Sequence, residues 1–338
     1  MKLLQNWVKI LIRKLIKCME KGGWYDSFLE DLLARYPKKT QLVQELMNLL
    51  CIEQEAAYRR LRKDVVFHAS EIAKIASEWN ISLDSILDVA FEKISFQMRF
   101  LDYLEPSDQD EYLLRSLIKD IIHAKDFSET EYMETCNKLP RSLFAGYSYL
   151  NRFYLFRGVP NYRNEEHAIP FSQIIISEKS HQLMVDFYQA IKQIPNTIFT
   201  LDCNLFDNLI RDVQCFHTIQ LITDEEKEFI REDLCALLDY LLEVTTLGRY
   251  PETKNKVNFF ISDLSVDTNY GYILTDKAHM SFLRTFDKYE IYTHNSEMVR
   301  KFKIWMMFRK KVSAQISDVD AKNRIEYFKK QKQIVESW

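Results

Sequence analysis

Between Trp24 and Ile86 apolar residues return every three or four positions in short bursts, and each burst ends at its own stop. That spacing demands helices with one buried stripe each. WYDSFLEDLLARY places Phe28, Leu32, Leu33 and Tyr36 on one side and stops at Pro37. Thr40 caps a second helix, QLVQELMNLL, with Leu42, Val43, Leu46, Leu49 and Leu50 inward. A third runs from Glu53 to Lys63, and a fourth, SEIAKIASEW, buries Ile72, Ile75, Ala76 and Trp79. Asn80-Ile81 breaks the fourth, and Ser82 caps a fifth through LDSILDVAFEKISFQMRFLDYL. Short helices packed this densely in residues 24–104 make an all-α domain.

The rest of the chain supports a second domain. At 338 residues there is length for two or three cores. Six glycines and seven prolines argue against a glycine-rich phosphate cradle and against a many-stranded β fold. The acidic, proline-containing EPSDQDE at 105–111 reads as the boundary. Residues 105–134 hold nine acidic groups against three basic ones. Beyond it YLLRSLIKDII, HQLMVDFYQAIKQI and EKEFIREDLCALLDYLLEV are helical, and SQIIIS at 172–177 breaks the pattern. KVNFFIS and NYGYIL, joined by DLSVDTN, read as a hairpin. Two terminal helices follow, the first with Met298, Phe302, Trp305, Val312 and Ile316 inward and the second with Ile325 and Phe328. The expected fold class is mainly α: a five-helix N-terminal helix-turn-helix domain at 24–104 and a larger, mostly helical C-terminal domain at 112–338 with a small β-hairpin.

Charge and cysteine usage narrow the function classes. The net charge of −3 argues against a chain that coats nucleic acid throughout, and it leaves room for local basic surfaces. Residues 300–332 carry eleven Lys/Arg against three Asp/Glu, read either as a solvated face or as a second anionic contact. Six cysteines, Cys18, Cys51, Cys136, Cys203, Cys215 and Cys235, form no CxxC pair, as expected of reduced thiols in a cytoplasm. In residues 1–23 Lys9, Arg13, Lys14 and Lys17 interrupt every apolar run. That segment reads as a basic amphipathic helix, neither membrane span nor signal peptide. Met19 is an alternative start, which would place the first 18 residues outside the native protein.

Chemistry-bearing patterns are sparse. None of the seven histidines has HxxxH or HxH spacing, and Cys203, Cys215 and His217 lack a fourth metal ligand. DCN at 202–204 has no nearby histidine to activate a thiolate. The reading is therefore a non-enzyme with no cofactor and no metal. The aromatic run SLFAGYSYLNRFYLFRG at 142–158 is either core or a ligand pocket lined by Tyr147, Tyr149, Phe153, Tyr154 and Phe156.

The stretch CIEQEAAYRRLRKD, residues 51–64, is the sharpest functional signal, with four cations among the five residues Arg59–Lys63. The second helix, the connection Leu50-Cys51-Ile52 and the third helix match a helix-turn-helix, whose second member enters the major groove. Ala57 and Leu61 pack inward. Gln54, Glu55, Tyr58 and Arg59 face base edges, and Arg60, Arg62 and Lys63 grip phosphate.

Residues 40–86 resemble the Cro/CI-type (Xre-type) helix-turn-helix domain of bacterial regulators. The resemblance rests on Leu46, Leu50, Ile52, Ala57 and Leu61, then on IAKIASEWNISLDSI at 72–86. It implies a sequence-specific double-stranded DNA-binding transcriptional regulator, a homodimer, with a C-terminal dimerisation or effector domain for a small molecule or peptide. Gln41 would reach phosphate as that family's helix-two glutamine does, although Thr40-Gln41 comes two residues early. Two further departures are Cys51, where the family has glycine in the turn, and Arg60, near a position often apolar. A protein-interaction adaptor that uses its basic helices on an acidic partner is the alternative.

Overall fold

The computed structural model describes residues 23–36, 38–79, 81, 83, 86, 94–98, 101–102, 104, 106–125, 129–158, 169–275, 279–285 and 289–338. The basic helix expected over 1–23 and most of the fifth helix lie outside the described residues. The chain divides into two compact units. One holds the residues up to Phe96 with Thr293–Asn295, and the other holds Gln97–Tyr292 with Ser296–Trp338.

Among its described residues the first unit contains the helices α1 (Trp24–Ala34), α2 (Lys39–Leu50), α3 (Gln54–Leu61) and α4 (Ala69–Glu78). Their inward stripes meet as the spacing requires: Phe28, Leu32, Leu42, Leu46, Ala57 and Ile75 are fully buried together. Leu33, expected inward, is exposed. Between α4 and the rest, the Phe67 ring stands edge-on to Phe28 at 6.2 Å, and its backbone N–H donates to Tyr25 Oη at 2.9 Å. Arg35 donates to the Trp79 carbonyl at 2.8 Å, closing the C-terminus of α4 onto α1.

The second unit corrects the expected fold class. It is α/β, built on a mixed eight-stranded sheet instead of a mostly helical domain with a hairpin. The strands are β1 (Gln97–Met98), β2 (Glu131–Cys136), β3 (Asn196–Asp202), β4 (Lys256–Ser262), β5 (Tyr270–Leu274), β6 (His279–Thr285), β7 (Tyr289–Thr293) and β8 (Ala314–Gln315). Their order is β1-β7-β6-β5-β2-β3-β4-β8, with β2, β3 and β4 parallel. KVNFFIS and YGYIL are β4 and β5, but they do not form a hairpin. β4 pairs with β3 and β8, while β5 pairs with β2 and β6. Only Ser172 and Gln173 of SQIIIS are in regular structure, the 3-10 turn Phe171–Gln173, and the run forms no strand. Gln97 and Met98, expected inside the fifth helix, pair with Tyr292 and Ile291 of β7.

The crossovers explain the topology. Parallel neighbours require helices between them, supplied after β2 by α8 (Glu178–Lys192) and after β3 by α9 (Leu205–Thr218) and α10 (Asp224–Leu247). Between β2 and α8 lie the short α6 (Arg141–Phe144) and α7 (Ser148–Gly158), and α5 (Asp108–Ala124) precedes β2. Local signals set the ends. Ser107 and Thr223 cap α5 and α10 through the amides of Asp110 and Glu226, and Gly248 ends α10 in a left-handed turn at φ 63°.

Strand alternation then divides the sheet into two apolar faces. Tyr132, Phe199, Leu201, Val257 and Phe259 face the large core with α5, α7–α10 and α12 (Ala321–Glu336). Met133, Ile198, Phe260 and Tyr272 pack under α11 (Ser296–Lys311) through Val299, Phe302 and Met306.

Candidate nucleic-acid interface

The link between α2 and α3 is three residues, and it turns because Cys51 adopts φ 54°, ψ 48°. That left-handed conformation is the one glycine reaches without cost and an L side chain reaches at roughly 1–2 kcal/mol. The chain makes the turn without glycine. The buried neighbours Leu46, Ala57 and Leu61 fix where both helices lie, so the connection has little freedom to relax.

Ala57 at full burial brings α3 close to α2, and Glu55 and Arg59 lie on the opposite side, whereas Gln54, three residues before Ala57, is exposed at the start of the helix on the Ala57 side. Gln54, Glu55 and Arg59 are exposed on α3, and Gln41 is exposed in the first turn of α2. Tyr58 is half-buried against the core, with the Lys39 ammonium 6.0 Å from its ring centre. The basic run is largely occupied. Arg60 turns inward, donating to both Glu71 oxygens at 3.1 and 2.8 Å and to the Ala56 carbonyl at 3.2 Å. Arg62 bridges Glu55 at 2.7 Å and Asp64 at 3.0 Å, and Lys63 pairs with Asp26. Among the described residues Arg59 alone of the four makes no ion pair.

These pairs differ in kind. Arg62 and Glu55 are both well exposed, so solvent screens their pairing and leaves it open to exchange for another anion. Arg60 and Glu71 are 13% and 16% exposed, and there the pairing is structural. Burial pushes the Glu71 carboxyl up. The Arg60 guanidinium and the His68 N–H outweigh that and hold it below the ordinary carboxylate range. A cation expected at phosphate thus joins α3 to α4. Its partner is eleven residues away in the next helix, so single-helix spacing carries no signal for it.

Elsewhere the candidate chemistry disperses. Cys51, Cys136, Cys203, Cys215 and Cys235 form no disulfide. Among the described residues no three His, Cys, Asp or Glu side chains gather as a metal site, and no helix is long and apolar enough to cross a membrane. The aromatic run divides. Tyr149 stacks on Phe229 and Phe156 packs on Phe171 and Phe216 in the core, whereas Phe153 and Tyr154 line a cavity.

No protein-family model matches the chain, and no curated protein or solved structure matches it.

Proposed function

We propose that this chain is a dimeric, sequence-specific double-stranded DNA-binding transcriptional regulator of the cytoplasm, whose reading helix is α3. The observation that carries the reading is the left-handed three-residue turn at Cys51, which joins two short helices over a shared core, with Gln41, Gln54, Glu55 and Arg59 each exposed. Gln54 and Arg59 have the side chains that discriminate bases by paired hydrogen bonds, each worth roughly 1–3 kcal/mol. Arg62 reaches phosphate by exchanging the exposed carboxylates of Glu55 and Asp64 for it, Lys63 by leaving the partly exposed Asp26, and Arg60 is a positioning residue that holds α3 against α4. Gln41 and the adjacent exposed Lys38 and Lys39 supply backbone contacts from α2.

Dimerisation is required because one short helix reads only a few base pairs. Support for a second copy comes from α11, where Ile304 and Phe308, with Val312 just past the helix end, form an exposed stripe at four-residue spacing, flanked by Trp305 and Met307. Stable monomers rarely leave such a patch open. Antiparallel pairing of two α11 helices would set Glu297 at one end beside Lys310 and Lys311 of the second copy.

The test is selection from random duplex DNA at about 150 mM salt. It uses the parent chain and a Gln54→Ala/Arg59→Ala variant, both sites being exposed and neutral to folding. A two-fold symmetric motif enriched by the parent and lost by the variant is expected. No enrichment by the parent overturns the reading and directs attention to an acidic protein partner.

A further inference from the structure

A cavity of about 240 Å³ lies beyond the carboxyl ends of the parallel strands β2 and β3, between α7 and α9. Open α/β sheets place ligands in this position, because the loops leaving parallel strands diverge there and helix starts point into the gap. The lining is of two kinds. Leu139, Phe144, Leu150, Phe153 and Leu209 supply an apolar wall, and Lys138, Arg157 and Arg211 supply three cations against the single carboxylate of Asp212.

The polar part of the wall is held in place. Asn269, almost fully buried, accepts from the backbone N–H groups of Asn137 and Lys138, each at 3.1 Å, and donates to the Lys138 carbonyl at 3.0 Å. That clamp fixes the end of β2 at the cavity. Arg157, 10% exposed, donates through Nη1 to Asp212 at 2.7 Å, while its Nε has no partner. Tyr154 Oη and Asn137 Oδ1 are likewise buried without one. Those three atoms are closed off from water-sized space, so what the wall offers a ligand is its charge, three cations against the one carboxylate of Asp212.

We infer that this cavity binds a small organic anion: a carboxylate held by Arg157 and Arg211, with an apolar body against Phe153 and Leu209. The volume is below that of drug-sized pockets, which limits the ligand to metabolite size. Its mixed walls exclude a bare inorganic anion, which would leave the apolar side unfilled. Any control of DNA binding by this ligand rests on the regulator reading; occupancy of the cavity does not.

The experiment is titration calorimetry on the full chain without DNA, with the straight-chain acids from acetate to octanoate, phenylacetate, 2-phenylethanol and inorganic phosphate. Saturable binding by at least one of the longer acids or phenylacetate is expected, with none by 2-phenylethanol or phosphate. The exposed Arg211→Gln, which leaves the core intact, should weaken that binding on the order of tenfold. Leu209→Phe, which fills the cavity, should abolish it while the melting temperature holds. Silence from every acid overturns the site. Equal binding of 2-phenylethanol, or an Arg211→Gln variant that binds like the parent, overturns the anionic class. Because no DNA is present, failure here leaves the selection result standing, and failure there leaves this one standing.

Discussion

Arg60 and Glu71 face each other across the gap between α3 and α4 with two hydrogen bonds of 3.1 and 2.8 Å, and little of either side chain reaches solvent. Removing the cation strands a half-desolvated carboxylate, a loss larger than the net worth of the pair. Arg60→Ala should therefore destabilise the first unit by about 2 kcal/mol. Hydrogen exchange at the α3 and α4 amides of the intact chain would report it. The pH dependence has a definite sign. Glu71 is held below its ordinary value, so its contribution is fully present above the unfolded carboxylate range and is lost as pH falls through the folded value. The variant should lose that acid sensitivity, and exchange rates with the parent's pH profile would contradict the assignment.

Cys51 gives a prediction of opposite sign. Its side chain is exposed and its one polar contact, Sγ to the Asn48 carbonyl, is a long 3.9 Å, so little holds it in the left-handed region except the helices on either side. Cys51→Gly should stabilise the turn by about 0.5–1 kcal/mol, since removal of the Cβ strain outweighs the added chain entropy. Slower exchange in α2 and α3 is the expected reading. Faster exchange would mean the turn is not strained by its side chain.

Lys192 and Glu252 make an asymmetric pair. The Lys192 side chain is 2% exposed, and its ammonium lies 2.6 Å from Glu252 and 4.0 and 4.7 Å from the ring centres of Tyr188 and Tyr240. Glu252 is 44% exposed. Burial holds the Lys192 amine below its ordinary value, so neutralising its partner leaves the buried cation unsupported. Glu252→Gln should cost about 1–3 kcal/mol. Lys192→Met should be close to neutral, because it fills the same space and leaves Glu252 free to hydrate. Chemical denaturation of both variants checks the order. A larger loss from Lys192→Met would show that attraction to the rings outweighs desolvation.

Gly271 of β5 lies opposite Phe282 of β6, and a Cβ built on it would come within 2.1 Å of that ring. Gly271→Ala should cost about 1–3 kcal/mol by overpacking. Phe282→Leu in the same chain should recover part of it, giving a coupling that a double-mutant cycle measures. Purely additive losses would place the damage in the strand backbone.

These residues show why one unit was legible and the other was not. Phe28, Leu42, Leu46 and Ile75 are core positions that spacing within a single helix identifies, because each stripe has only one face to bury. The sheet has no such signature. In β2 the sequence EYMETC mixes Tyr132 and Met133 with Glu134 and Thr135, and all four are buried, since the strand is covered on both faces. Glu134 is tolerated there through Tyr132 at 2.5 Å and Arg284 at 3.8 Å, a partner on β6 that no local pattern predicts. The hairpin reading of β4 and β5 failed because Gly271 pairs with Glu134 and Phe259 with Phe199, and those pairings are set by the fold as a whole. On α3, periodicity placed Arg59 on the outer face, where it is exposed. It placed Arg60 on a flank, as a phosphate contact, because the deciding partner, Glu71, belongs to another helix.

The exposed stripe of α11 yields the last prediction. Ile304 and Phe308 are more than half exposed and Val312 nearly so, while Phe302 and Met306 of the same helix are buried against the sheet. The helix therefore has two apolar sides, and among the described residues only one is covered. A charge at Phe308 leaves the inner side untouched, so Phe308→Glu should fold with an unchanged melting temperature at low concentration. In a self-complementary pairing the same substitution acts twice, placing two carboxylates near the axis. Sedimentation should show the parent as a dimer and Phe308→Glu as a monomer, with DNA affinity falling in parallel. A parent chain that sediments as a monomer would remove α11 as the dimer contact, and a dimeric Phe308→Glu would place that contact on another surface.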